Sequence, residues 1–152
     1  METVSRLGQQ TTEENVQLKI LQLVLAIFTA GEGYELSQVS LSKLLKLCYS
    51  LQGSKSLNVD MTAKATLRQA TTAIFEFLKP KVNPETNEER IIDQGSNAFK
   101  NSYLYFNDLC SITLGEIGEW LGINNADINF VLELIDSVLT HYGKHFTSVC
   151  NY

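Results

Sequence analysis

The stretch that decides the fold is Ile20-Leu21-Gln22-Leu23-Val24-Leu25-Ala26-Ile27-Phe28. Its apolar residues fall on almost every side of a helix, which is the pattern of a helix surrounded by other helices. We predict that this helix runs over residues 13–30 and that Thr11 or Thr12 caps its first turn. The rest of the chain must therefore supply further helices that cover it.

Four other segments carry apolar residues at steps of three and four, the spacing of one helical face. They predict helices over residues 37–51, 58–79, 98–113 and 126–142. Long helices that follow one another in this way are typical of stacked antiparallel pairs. The predicted fold is therefore all-α, an armadillo- or HEAT-like α-solenoid of antiparallel helix pairs, with an up-down bundle as the alternative.

Length, net charge and hydropathy limit the number of domains and the classes of function that this sequence allows. The 152 residues suffice for one domain, so we predict a single helical domain over 1–152, with a mobile surface loop at 79–97 that holds both prolines. The net charge of −5 argues against a general nucleic-acid binder, and no apolar run is long enough to span a membrane. Widely spaced cysteines, among them Cys48 and Cys110, are expected to be small buried thiols in a reducing compartment.

No motif for catalysis or cofactor binding stands out. The glycines form no phosphate-binding pattern, and no nucleophile is placed beside a base, so we predict no enzyme, no cofactor and no metal. His141 and His145 are four residues apart, a spacing that zinc sites use. Gly143 between them is expected to end a helix capped by Asn124 or Asn125. Solvated histidines at a helix end are therefore favoured over a metal site.

A short polar strip is the strongest candidate for a binding surface. Leu67 is predicted to face the core, whereas Lys64 and Arg68, four residues apart, share an outer face with Gln69 beside it. Two interpretations remain open, a solvated face or a contact strip for a protein partner. Trp120 is either a core side chain or an exposed anchor. The candidate partner-binding residues are Lys64, Arg68, Gln69 and Trp120.

Five ordered blocks carry a family resemblance: Val16-Gln17-Leu18-Lys19-Ile20-Leu21-Gln22, Leu44-Leu45-Lys46-Leu47-Cys48-Tyr49-Ser50, Thr62-Ala63-Lys64-Ala65-Thr66-Leu67-Arg68-Gln69, Tyr103-Leu104-Tyr105-Phe106-Asn107-Asp108-Leu109-Cys110 and Leu132-Glu133-Leu134-Ile135-Asp136-Ser137-Val138-Leu139. With these blocks, residues 16–142 resemble the C-terminal part of a DCB (dimerisation and cyclophilin-binding) domain of the large Arf guanine-nucleotide exchange factors. The resemblance is nearest to the Mon-two branch, which lacks the catalytic exchange domain. BIG-type exchange factors share the Thr-Ala-Lys-Ala-Thr block.

The resemblance implies a non-catalytic scaffold in vesicle trafficking and protein transport, at the cytosolic face of the trans-Golgi network and endosomes. It implies self-association, contact with the HUS domain of the same protein, and binding of an Arf-like small GTPase and a Dopey-type protein. Membrane association would then be peripheral, through these partners. Two alternatives stay open: a regulatory domain of a catalytically active BIG-type exchange factor, and a purely structural self-association element.

Overall fold

The residues that the structure describes form five α-helices. The computed structural model describes residues 2–30, 36–79, 81–87 and 95–150, with side chains described over 13–30, 36–79, 81–87 and 95–146. The all-α helical-repeat fold that the sequence predicts is confirmed. The helices are α1 (Glu2–Thr29), α2 (Gln38–Leu51), α3 (Leu57–Phe75), α4 (Asn97–Thr113) and α5 (Ile128–Cys150), and a 3₁₀ turn at Glu76–Leu78 follows α3.

Short polar side chains begin the helices. Ser37, Ser56 and Ser96 cap α2, α3 and α4, and each accepts a hydrogen bond from the backbone N–H three residues further on. Before α5, the Oδ1 of Asp127 accepts the backbone N–H groups of Asn129 at 3.1 Å and Phe130 at 3.4 Å. These caps fix where each helix starts. The predicted caps of the last helix, Asn124 and Asn125, lie before Asp127, so that prediction is wrong.

Two helix boundaries differ from the predicted ones. α1 begins at Glu2, so Thr11 and Thr12 lie inside the helix and do not cap it. No proline interrupts this stretch, and the helix passes through both threonines. Gly143 does not end α5, which continues to Cys150. One turn beyond Gly143, the ring of Phe146 lies 5.3 Å from that of Phe106 on α4, and this contact stabilises the continued helix.

Helix α3 lies at the centre of the packing and contacts each of the other four helices. Its buried face includes Leu67, as predicted, and continues through Ile74 and Phe75. Phe75 stacks against Tyr105 of α4 and Tyr142 of α5, with ring centres 6.4 and 5.9 Å apart. Removal of α3 would therefore leave no common core for the other helices.

A chain of hydroxyl groups crosses the core between α2, α3 and α4. The Tyr105 hydroxyl lies 3.0 Å from that of Tyr49 and 3.2 Å from that of Thr71. Thr71 also donates to the Leu67 carbonyl at 2.8 Å. Burial raises the pKa of Tyr105 to about 12. The buried hydroxyls are thus satisfied as neutral groups, which is the condition for placing them in a core.

The cysteines differ in burial. Cys48 is fully buried, as predicted, and its burial raises the pKa of the thiol to about 12. Cys110 is only half-buried, so the expectation of a buried thiol is wrong for it. Both thiols are free. Neither forms a reactive or bridged site in this structure.

The predicted mobile loop at 79–97 falls partly outside the described residues, which omit Pro80 and residues 88–94. Residues 81–87 are exposed over their whole length. The mobility of this segment stays a prediction. No helix in the described part of the chain is long and apolar enough to cross a membrane.

Helix α1 is covered on one side only, in contrast to the expectation of a helix surrounded by others. Its buried face, with Leu21, Val24 and Phe28, packs mainly on α3. On the opposite side Leu23 is 64% exposed. The expectation is wrong for the described residues because α2, the next helix along the chain, makes few contacts with α1.

Candidate interaction surface

The polar strip predicted on α3 lies beside the start of α5. The Lys64 ammonium lies 3.3 Å from the carboxylate of Asp60, one turn earlier, and 3.2 Å from that of Asp127. Arg68 pairs with Glu133 of α5 at 2.9 Å. The two basic residues therefore share a face as predicted, and this face also contacts the start of α5. We call Lys64, Arg68, Asp127, Phe130 and Glu133 the α3–α5 strip.

An aromatic ring lies beneath the two cations. The Arg68 guanidinium is 4.9 Å from the centre of the Phe130 ring, and the Lys64 ammonium is 6.0 Å from it. Both distances are within the range in which a cation is attracted to the face of an aromatic ring. Phe130 is only 2% exposed and forms the apolar floor of the strip. The ring is therefore covered by the chain's own residues, and the charged groups above it are the exposed part of the strip.

Charge pairing tunes the protonation of the strip. The hydrogen bond with Asp127 raises the pKa of Lys64, and the same bond lowers the pKa of Asp127. Asp127 therefore holds α5 twice, through its cap on the first turn and through the ion pair with α3. Lys64 and Asp127 therefore both keep their charges at a pH near neutrality.

A cleft lies next to the strip, between α3 and α5. Its volume is about 240 Å³, and the pair formed by Arg68 and Glu133 stands at its edge. This volume is below the range of most small-molecule sites but is large enough for one or two side chains of a partner. The lining residues are Arg68, Thr71, Thr72, Glu133, Leu134 and Ser137.

The other two candidate residues lie apart from the basic pair. Gln69 is exposed and follows Arg68 on α3, so it extends the strip around the helix. Trp120 lies in the connection between α4 and α5, is half-buried and packs against the core. Among the described side chains, no hydrogen bond or ring contact joins it to Lys64 or Arg68. Whether these four residues bind a partner stays a prediction.

The position of Trp120 is set by a buried carboxylate. Asp108 on α4 is 2% exposed and accepts the backbone N–H groups of Trp120 at 3.3 Å and Leu121 at 2.6 Å. Gly118 comes so close that a Cβ there would lie 2.8 Å from the Asp108 carboxylate. Only glycine allows this approach. The connection is therefore held in one conformation against α4.

Sequence reasoning also missed three residues of α5 and its cap, namely Asp127, Phe130 and Glu133. The available signal was the Asp-x-x-Phe spacing, in which an aspartate caps a helix whose first turn carries a large apolar side chain. Nothing in the sequence states that this turn lies beside Lys64, more than sixty residues earlier. Only the packing of α5 on α3 shows it.

The histidine pair forms no site that the structure describes. His141 is exposed, and its Nδ1 lies 2.8 Å from the backbone carbonyl of Ser137. His145 is half-buried one turn later. Within the described ranges, no three His, Cys, Asp or Glu side chains come together as metal ligands. The α3–α5 strip is therefore the surface to which a function is most readily assigned.

Fold and surface together define a class, an all-α helical-repeat module with a charged strip between two of its helices. Residues 1–80 match the model of the DCB family, described as Mon2/Sec7/BIG1-like, dimerisation and cyclophilin-binding domain. This match covers more than half of the chain and includes Lys64, Arg68 and Gln69. The chain belongs to the DCB family. No solved structure matches it.

Curated relatives agree with this assignment. The protein named Protein MON2 homolog from Homo sapiens is 29% identical over 156 residues, covering 94% of this chain and 9% of the relative. Its namesake from Xenopus laevis is 30% identical, covering 86% and 8%. The one from Schizosaccharomyces pombe is 28% identical, covering 96% and 8%. The expected resemblance to the Mon-two branch is confirmed, and the chain spans less than a tenth of each relative.

Proposed function

We propose that this chain is a non-catalytic scaffold module of a large protein related to the Arf exchange factors, and that it acts by protein–protein contact. Membership of the DCB family and the similarity to Mon2 homologues support a role related to these exchange factors. Within the fold, the α3–α5 strip supports a contact function because it sets two cations over a buried aromatic ring. That strip is the single observation that carries the proposal.

The proposed partner of the strip is an Arf-like small GTPase. The switch regions of a small GTPase change shape when the γ-phosphate is present. A strip whose charges are fixed in position would contact one of the two shapes better than the other. Further proposed partners are the HUS domain of the same protein, a Dopey-type protein and a second copy of this chain. The word dimerisation in the family description supports self-association.

The proposed location is the cytosolic face of the trans-Golgi network and endosomes, where the module would serve vesicle trafficking. Attachment to the membrane would come from the partners. The net charge of −5 gives the chain little attraction to anionic lipid.

Nucleotide-release kinetics test the non-catalytic part of the proposal. We expect that release of labelled GDP from an Arf-like GTPase proceeds at the same rate with and without the chain. An isolated catalytic exchange domain is the positive control. A chain that accelerates release would contradict the proposal and would favour an exchange enzyme.

A further inference from the structure

Helix α1 carries a second apolar face that the core does not use. Val16, Ile20, Leu23 and Ile27 follow one another at steps of four, three and four residues, so they form one stripe along the helix. Val16 and Leu23 are 52% and 64% exposed. Ile20 and Ile27 are half-buried, yet within the described part of the chain neither is among the side chains that pack against the core. We call these four residues the α1 outer stripe.

The stripe has the residue pattern of a two-stranded coiled coil. Steps of four and three alternate in the heptad positions a and d, with Ile20 and Ile27 at a and with Val16 and Leu23 at d. A β-branched residue at a with leucine at d favours two strands over three or four. The pattern therefore specifies another helix with the same spacing and limits the assembly to two helices.

Charge does not oppose a like partner along the stripe itself. The chain carries a net charge of −5, so two copies repel each other except where their contact is uncharged. The four positions of the stripe hold no charged residue, and the flanking exposed residues include Lys19 as well as Glu13. From Val16 to Ile27 the seam itself holds no carboxylate, and Glu13, one heptad before Ile20, lies just outside it.

We propose that the α1 outer stripe binds the same stripe of a second copy of this chain, so that two α1 helices form a short two-stranded coiled coil. This inference rests on the self-association in the proposed function and assigns it a surface. α1 belongs to residues 1–80, the part of the chain that matches the family model with dimerisation in its description. The α1 outer stripe is thus a surface distinct from the α3–α5 strip.

The length of the stripe sets the strength of the dimer. From Val16 to Ile27 the helix rises about 18 Å, which is only two heptads. A stable dimer commonly buries about 800 Å² on each copy, and a seam this short supplies less. The dimer is therefore weak and exchanges rapidly, and its population follows the protein concentration.

Sedimentation velocity of the 152-residue chain tests the proposal over roughly 5 to 500 µM, because the population of a weak dimer changes most across such a range. The weight-average mass should rise from 17.0 kDa toward twice that value. Leu23→Lys should raise the dissociation constant at least about 10-fold, and Val16→Lys should act in the same direction. The matched control is Leu139→Lys on α5, which changes a leucine that is also exposed, at 53%.

Circular dichroism separates loss of the dimer from loss of the fold. Leu23→Lys changes an exposed side chain, so at a concentration where the wild type is monomeric both chains should melt at the same temperature. If the wild type dimerises and Leu139→Lys abolishes dimers while Leu23→Lys does not, self-association stands and the proposed surface is wrong. A wild type that stays at 17.0 kDa removes self-association itself and leaves the stripe to a helix of another protein. Assemblies larger than a dimer would also contradict a two-stranded seam.

Discussion

The guanidinium of Arg68 lies 4.9 Å from the centre of the Phe130 ring, and this contact ties the third helix to the fifth. The same guanidinium pairs with Glu133 at 2.9 Å. A side chain expected to face solvent is therefore part of the contact between two helices. Changes in the α3–α5 strip affect stability as well as partner binding, and experiments must measure both.

Removal of both strip cations should lower stability by a small amount. Lys64→Gln with Arg68→Gln removes three ion pairs and two cation–π contacts, and we expect the free energy of unfolding to fall by about 1–2 kcal/mol. Urea unfolding measures this change. The control variant Lys43→Gln with Lys46→Gln removes the same charge from the exposed face of α2 and should change stability by less than about 0.5 kcal/mol. Equal losses in the two variants would show that the strip contacts contribute nothing.

A carboxylate in the core of α3 should unfold the domain. Leu67 is fully buried, so Leu67→Asp places an unpaired charge where water cannot reach it, at a cost of several kcal/mol. Met61→Asp on the same helix is the control, because Met61 is 60% exposed. Far-UV circular dichroism should show a loss of helix for the first variant only. A helical Leu67→Asp variant with normal melting would contradict the assigned facing of α3.

The contributions of Asp108 and Gly118 to the free energy of unfolding should be coupled. Asp108→Asn weakens two buried hydrogen bonds to backbone N–H groups, and we expect a loss of about 2–3 kcal/mol. Gly118→Ala should destabilise the domain as well, because its Cβ would lie 2.8 Å from the carboxylate. In a double-mutant cycle the combined loss should be smaller than the sum of the two. Asp136→Asn, at an exposed position of α5, is the control for loss of one carboxylate.

Additive losses in that cycle would indicate that the two residues act independently. They would then stabilise the connection between α4 and α5 separately, and the placement of Trp120 would not depend on their contact.

Alkaline pH should destabilise the fold because it favours the deprotonated forms of two groups that are buried in the folded chain. In the folded chain the pKa of Cys48 rises from 9.0 to about 12, and that of Tyr105 rises from 10.0 to about 12. Between pH 9 and pH 12 the unfolded chain therefore holds fewer of these protons than the folded chain, and stability falls as pH rises. Well below pH 9, where both groups are protonated in the folded and the unfolded chain, they contribute no pH dependence. Thermal melting across this range measures the effect.

Variants assign that effect to particular groups. Tyr105→Phe should flatten the fall of melting temperature above pH 10, whereas Tyr103→Phe should not, because Tyr103 is 54% exposed. The same slope in both variants would contradict a role for the buried hydroxyl.

The sequence predicts the helices better than it predicts the surfaces between them. Periodic apolar residues located all five helices and the buried face of Leu67, because helix periodicity is a local property of the chain. The ends of the helices were predicted less well than their positions. α1 passes through Thr11 and Thr12, and α5 passes through Gly143 because Phe146 packs against Phe106 beyond it.

Only the part of the candidate site that depends on local spacing could be predicted from the sequence. Lys64 and Arg68 share a face because they are four residues apart, which the sequence states directly. Their contacts with Asp127 and Glu133 join positions more than sixty residues apart, and no local pattern encodes them. The single-sided covering of α1 also depends on which helices pack together, and therefore required the structure.

Calorimetric titration of the chain with an Arf-like GTPase tests the central claim most directly. We expect the GTP-loaded form to bind at least about 10-fold more tightly than the GDP-loaded form, which is the behaviour of an effector. Lys64→Gln with Arg68→Gln should weaken that binding about 10-fold, and Lys43→Gln with Lys46→Gln should leave it unchanged. Equal affinity for the two nucleotide forms, or no binding to either, would contradict the account of this chain as a module that recruits an Arf-like GTPase.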